Sequence, residues 1–458
     1  MSDPRPPLLP GLLGLLRRLG LLRPGRQDRD PDAQRLRTQV RIIRQAFEES
    51  GVAAATSQGL KPPVDDADTA YLYRPRHALV RESDYERVVA YVARRSDRFH
   101  GTVERVGRPV PGLALVTMPA RTDRGDDVLA TLAEIDRDLG EGAAAPDHIV
   151  YVTPRGLLCP ATEPETPQRH REPWPPPRSA TDTVAAGDRV RVAVVDTGLW
   201  SEAVGSAATP WLRVGDVVAD AADVETVDPH AIHPYAGHGT FVAGVITCLA
   251  PGTRVEVEGV LVHGGAVYES EIVAQLQEAI DDDDRPQVIS ISAGTHTRGD
   301  FAPLGFAALG ESAKLAGRED VLIVAAAGND ASDKPLWPAA FDWVVSVGSV
   351  DPGGGVSDFS NVGTWVDVYA RGRDVVNAFP RGVYTCHEPP HVGEVRTFDG
   401  LARWSGTSFS TPVVTGLIAA RMRETGQSAR EAWRDILAGA TDATDPRGGA
   451  IKIVGPLS

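Results

Sequence analysis

Along residues 33–50 the apolar positions Leu36, Val40, Ile43 and Phe47 recur every three to four residues, the period of one amphipathic helix. From 70 to 153 the period alternates. "RHALVRE" reads as a strand and "SDYERVVAYVARR" as a helix, opened by Ser83 with Glu86 three residues on, the spacing of a capping box. "GTVERVG" and "GLALVTM" read as two strands joined by a Gly/Pro turn. "DDVLATLAEIDRDL" reads as a second helix with Val128, Leu132, Ile135 and Leu139 on one face, and "HIVYVTP" as a last strand. The order β-α-β-β-α-β is that of a small ferredoxin-like α+β domain, which carries no chemistry by itself; an independent binding domain is the alternative reading.

Beyond residue 188 the pattern changes to near-continuous apolar runs, "RVRVAVVD", "RVEVEGVLV", "QVISISA", "VLIVAAAG" and "WVVSVGSV", with helical segments at roughly 238–249, 270–280, 302–316, 408–423 and 427–438. Unbroken apolar strands alternating with helices predict a parallel sheet covered on both faces. Between the two regions, 154–187 is dense in Pro and charge and reads as an extended linker open to proteolysis. The chain therefore divides into an N-terminal segment (1–69), a small domain (70–153), a linker (154–187) and a large domain (188–458). The expected fold class is α/β, a doubly wound mostly parallel sheet preceded by a small α+β ferredoxin-like domain.

Composition and charge mainly exclude. A net charge of -15 over 458 residues argues against nonspecific nucleic-acid binding, which needs a basic excess. Cys159, Cys248 and Cys386 are widely spaced and suggest neither a disulfide framework nor a zinc site. His230, His233 and His238 lack the Glu of a helical H-E-x-x-H site, so no metal is expected there. The leucine-rich stretch 8–22 is preceded and interrupted by Pro, Asp3 and Arg17-Arg18, with no small-x-small cleavage site after it. It is too short and too charged to span a bilayer, so no membrane span and a cytoplasmic location are expected, with an amphipathic helix touching a partner or a membrane surface as the alternative.

In a parallel α/β sheet, sites gather beyond the carboxyl ends of strands. Four residues stand there: Asp196 ends the strand of "VAVVDTG", His238 opens the helix of "GHGTFVAGVI", Asn329 ends the strand of "VAAAGND", and Ser408 opens the helix of "SGTSFSTP". Singly, each has an ordinary structural explanation as a cap, turn or loop residue. Together they are the parts of acyl transfer by serine: a nucleophile, a base, a carboxylate that fixes the base, and a donor for the oxyanion. The order Asp, His, Asn, Ser excludes the α/β-hydrolase pattern, in which Ser comes first.

These four segments resemble the four signatures of the subtilisin-like serine proteases, over about residues 189–440. The resemblance implies Ser408 as nucleophile, His238 as general base and then acid, Asp196 as its orienting partner, and Asn329 as oxyanion donor beside the Ser408 N–H. It also implies that "LVHGG" and "SISAG" pair with an extended protein or peptide substrate, with Ser292, Ala293 and Gly294 bordering the specificity pocket. Pro412 suits a first helical turn. The segment from "NAFPRGVYTC" to "ARWSG" is longer than in compact relatives and reads as an added hairpin. No cofactor is implied, and no segment matches the family's structural calcium loop; the acidic run 281–284 reads as a solvated turn. Such proteases often carry an N-terminal β-α-β-β-α-β propeptide, which makes the chain's own N-terminal domain an expected inhibitory partner. The alternative is a catalytically silent subtilase fold used for binding.

Overall fold

The computed structural model describes residues 31–59, 65–125, 127–152, 161–167, 172–179, 189–447 and 449–457. Helix α1 (Pro31–Glu49) forms where the spacing predicts one, and Leu36, Val40, Ile43 and Phe47 are all buried. That stripe packs against Leu72, Ile149 and Tyr151 and also against Ala266 and Tyr268, so α1 joins regions far apart in sequence.

The small domain contains β1 (Leu72–Arg81), α2 (Tyr85–Ala93), β2 (Glu104–Gly107), β3 (Leu113–Thr117), α3 (Val128–Leu139) and β4 (Ala144–Tyr151). Its strands lie antiparallel in the order β4-β1-β3-β2, the expected topology. The capping box expected at Ser83 is not formed. A 3-10 turn over Glu82–Asp84 moves the cap position to Asp84, and the Ser83 hydroxyl turns to the Asp84 carboxylate instead. On α3 the buried face is Val128, Thr131, Leu132 and Ile135, with Leu139 at its margin.

The large domain follows as β5 (Arg191–Asp196), β6 (Val217–Val218), α4 (His238–Leu249), β7 (Arg254–Gly259), β8 (Ala266–Tyr268), α5 (Glu269–Asp281), β9 (Val288–Ile291), α6 (Leu304–Ser312), β10 (Leu322–Ala326), β11 (Val344–Val350) and β12 (Val368–Arg371). Four short strands, β13 (Val375–Ala378), β14 (Gly382–Thr385), β15 (Val395–Phe398) and β16 (Leu401–Trp404), form the added hairpin, β13 pairing with β16 and β14 with β15. Then come α7 (Thr407–Thr425), α8 (Ala429–Ala438), β17 (Thr441–Asp445) and β18 (Gly449–Ile453). The main sheet has the order β17-β18-β12-β11-β10-β9-β5-β7-β6 and is parallel except at the β17 edge. Along β5, Val192 and Val194 pack with Phe241 and Phe409 on one face, while Ala193 and Val195 pack with Ile272 and Phe306 on the other. Both faces are covered, which is why the run is apolar without alternation.

Two features tie the domains together. Strand β8 of the large domain pairs antiparallel with β4, extending the small domain's sheet. The carboxylate of Asp147, on β4, accepts from the N–H and the hydroxyl of Ser270 at 2.9 and 2.7 Å, serving the N-terminus of α5 as a cap from another domain. The expected open linker is corrected over its described parts. Glu165 and Arg403 exchange backbone hydrogen bonds of 2.9 and 2.7 Å, the Trp174 N–H donates to Val376 O at 2.8 Å, and Arg371 lies 4.1 Å over the buried Trp174 ring. The free edges of the hairpin strands take up this backbone, and one large aromatic ring anchors it. The leucine-rich stretch 8–22 and Cys159 lie outside the described residues. Among the described residues no helix is long and apolar enough to cross a membrane.

Candidate active site

Asp196 is the last residue of β5 and His238 the first of α4. A side chain on Gly239 would stand 2.6 Å from Gly198 O and 3.1 Å from Asp196 Cβ. The residue after His238 is therefore glycine so that the helix can abut the strand end. The result is a 2.7 Å contact between His238 Nδ1 and Asp196 Oδ1, both side chains fully buried; the Thr197 N–H donates to the same oxygen at 2.8 Å. A carboxylate only accepts, so it holds the proton on Nδ1 and leaves the Nε2 lone pair free. Nε2 is buried and has no hydrogen-bond partner among the described residues. The Trp404 and Phe409 rings lie 5.5 and 5.4 Å from the imidazole and enclose it.

Ser408 is the second residue of α7, whose N-cap Gly406 supplies no side-chain cap. Its Oγ lies 3.5 Å from Ser292 O, and no hydrogen bond joins it to His238. Pro412 is the sixth residue of α7, not part of its first turn as expected. Lacking an N–H, it leaves the Ser408 carbonyl without its helical partner four residues on. The Ser292 hydroxyl donates to that carbonyl instead, at 2.9 Å. Ser410 and Thr411 do not cap the helix: Thr411 Oγ1 donates to Thr407 O at 2.9 Å, and Ser410 Oγ is buried without a partner among the described residues.

Asn329 follows β10. Its Oδ1 accepts from the Thr407 N–H at 2.9 Å and from the Thr407 hydroxyl at 3.0 Å, which orients the amide and keeps its Nδ2 protons for another acceptor. Thr407 is the neighbour of Ser408, so one residue couples the two. Four sequence-distant segments thus meet at one point beyond the strand ends.

Ser292, Ala293 and Gly294 follow β9 and are reached by the chain itself. Gly294 and Tyr151 exchange hydrogen bonds of 2.9 and 3.1 Å, and the Val152 N–H donates to Gly265 O at 2.8 Å. Both edges expected to grip a peptide hold the residues at the end of β4.

Glu225 gave no sequence signal. Its carboxylate accepts from the N–H of Gly237, the residue before His238, at 2.7 Å, and burial pushes its carboxyl up to about 8. Among the described residues no group of three or more His, Cys, Asp or Glu is arranged to hold a metal ion. Asp284, in the acidic turn, pairs with Arg191 at 3.0 Å.

A buried serine at a helix start, an imidazole oriented by a carboxylate and an amide anchored beside the serine make up the equipment of a serine hydrolase on a parallel α/β sheet. The model of the subtilase family matches residues 187–450, more than half of the chain. The chain belongs to the subtilase family. It is 30% identical over 248 residues to the intracellular serine protease of Paenibacillus polymyxa, covering 51% of this chain and 66% of that protein. It is 28% identical over 251 residues to the major intracellular serine protease of Bacillus subtilis (strain 168), covering 51% and 68%. Among solved structures it matches a cold adapted subtilisin-like serine proteinase at 24% identity and a TM-score of 0.44, covering 63% of this chain and 96% of that one.

Proposed function

We propose that the chain is a subtilisin-like serine endopeptidase that hydrolyses protein or peptide substrates through an acyl-enzyme and is held in check by its own N-terminal domain. The observation that carries the reading is the buried His238–Asp196 contact at 2.7 Å, with Ser408 and Asn329 at adjoining helix and strand ends. Ser408 Oγ attacks the scissile carbonyl while His238 Nε2 takes its proton. Asp196 stabilises the imidazolium, and the Asn329 amide with the Ser408 N–H receives the oxyanion. Nε2 then returns the proton to the leaving amine, and water repeats the sequence on the ester. Ser292, Ala293 and Gly294 with residues 261–265 grip the extended substrate. No residue of this scheme requires a cofactor or metal ion.

Inhibition in cis is supported by the strand pairing of β8 with β4, by Tyr151 and Val152 on the two peptide-gripping edges, and by the burial of Ser408 and His238. A cytoplasmic location accords with intracellular serine proteases among the relatives. Intact-mass analysis tests the whole: wild-type chain is cut within 154–187, the Ser408→Ala chain is not, and residues 70–153 added in trans inhibit the processed enzyme. Tethering at an effective concentration on the order of millimolar makes even a modest affinity sufficient. If both chains stay full length while the wild type hydrolyses peptides, the small domain is a docking domain and not an inhibitor.

A further inference from the structure

Between α1 and the large domain lies a cavity of about 790 Å³ whose walls include Thr197, Asp223, Glu225, Tyr235 and Gly265. It adjoins the triad twice: Thr197 follows Asp196, and Glu225 holds the Gly237 N–H just before His238. It also adjoins the peptide-gripping edge. Val152 bonds to Gly265 O, and the space where a Gly265 side chain would stand is bounded by Tyr235 at 3.0 Å and Val152 Cγ2 at 3.2 Å. A peptide residue in the place of Val152 therefore sits at the rim, and Val152 is too short to fill what lies beyond.

The wall beyond is acidic. The Glu225 side chain is 6% exposed, and its Oε1 is buried without a hydrogen-bond partner among the described residues. From the large domain, His233 stands with its Nε2 3.7 Å from that oxygen, and its side chain is half exposed. Asp223 adds a second carboxylate, with its Oδ1 held by the Gly259 N–H at 2.8 Å. Arg41 and Glu49 face the cavity from α1, so α1 brings one charge of each sign and leaves the acidic excess standing. A buried carboxylate oxygen with no donor is costly, and a cation on a long flexible stem, with an apolar body for the Tyr235 and Leu261 walls, relieves that cost.

We infer that Glu225, assisted by Asp223, is a specificity-determining residue that selects Lys or Arg at the substrate position taken here by Val152. The inference rests on the peptidase reading above. Burial, with the Asp196 carboxylate nearby, holds the Glu225 carboxyl up at about 8 although the Gly237 N–H pulls it down.

The test is a positional library of fluorogenic peptides, incubated with the purified full-length protein, in which each residue before the scissile bond is varied among Lys, Arg, norleucine, Val and Glu. One position is expected to favour Lys or Arg over norleucine by about 10- to 100-fold in kcat/KM, the range for a hydrogen bond to a buried charge. Glu225→Gln keeps an acceptor for the Gly237 N–H and is expected to reduce that ratio to about 2-fold or less, at that position alone; Asp223→Asn is expected to reduce it in part. Fluorophosphonate labelling of both variants verifies that the triad is intact. A chain that labels and hydrolyses but shows no basic preference, or keeps it in Glu225→Gln, overturns this inference and leaves the peptidase reading standing. A chain that neither labels nor hydrolyses overturns both.

Discussion

On the proposed mechanism, replacing Asn329 by Ala removes one oxyanion donor, together with the acceptor of two Thr407 hydrogen bonds. The residue is 1% exposed, and Thr407 fixes its Oδ1 through two hydrogen bonds, so the amide needs no reorganisation when the oxyanion forms. Loss of one such preorganised donor costs on the order of 10²–10³ in kcat, roughly 2.7–4 kcal/mol, a span established on an oxyanion asparagine in a subtilisin and carried here by the matching geometry. The Ser408 N–H remains, so activity is reduced, not abolished. Thr407→Val offers an internal comparison. It removes the hydroxyl that donates to Asn329 at 3.0 Å and accepts the Gly328 N–H at 3.1 Å, yet keeps the backbone bond at 2.9 Å. Its expected loss is smaller, about 10-fold, as for one neutral hydrogen bond. Initial rates on a peptide substrate, normalised by active-site titration, separate kcat from KM. A raised KM at unchanged kcat in Asn329→Ala would make Asn329 a substrate-binding or structural residue and refute the reasoning.

Docking of the small domain is expected to weaken as pH rises. Burial pushes the Asp147 carboxyl up to about 7 against Ser270 and Arg74, with Glu269 beside it and His148 facing Glu269 at 3.0 Å. The docked state therefore holds a proton that the released state gives up; its contribution is complete below the ordinary carboxyl range and is lost through about 7, at most roughly 4 kcal/mol. The protection factors of β4 amides in the uncut Ser408→Ala chain, corrected for intrinsic exchange, should fall between pH 5.5 and 8.5, and Asp147→Asn should flatten the change; equal protection at both pH values contradicts it. Phe47→Ala empties a fully buried site against His263 and Tyr268, ring centres 4.6 and 5.0 Å away, at a cost of about 3–5 kcal/mol. Faster exchange is expected in α1 while β9–β11 stay protected; uniform loss would mean that α1 is no separable cover.

The period of apolar residues was enough for α1, the small domain and the parallel sheet, because each of those elements buries a face set by local spacing. What it missed depends on chain that is distant in sequence. The displaced start of α2 and the packing of Glu165 and Trp174 on the hairpin arise from tertiary contacts. Asp196, His238, Asn329 and Ser408 stand out as candidates in the sequence because each lies within a distinct local motif next to an expected strand or helix end. Glu225 sits in "ADVETV", an unremarkable polar stretch, and gains its place only because the loop folds back onto Gly237. The partnership of Ser292 with the Ser408 carbonyl follows from Pro412 but could be seen only once the helix start was fixed.

The central claim is that Ser408 is the nucleophile activated by His238 and Asp196. Its most direct test is intact-mass and peptide-map analysis of the purified wild-type, Ser408→Ala and His238→Ala proteins after exposure to a fluorophosphonate. One adduct per wild-type chain is expected, on the peptide containing Ser408, with none in Ser408→Ala and labelling slowed by orders of magnitude in His238→Ala. An adduct on another residue, or hydrolysis of casein by Ser408→Ala at the wild-type rate, would contradict the account.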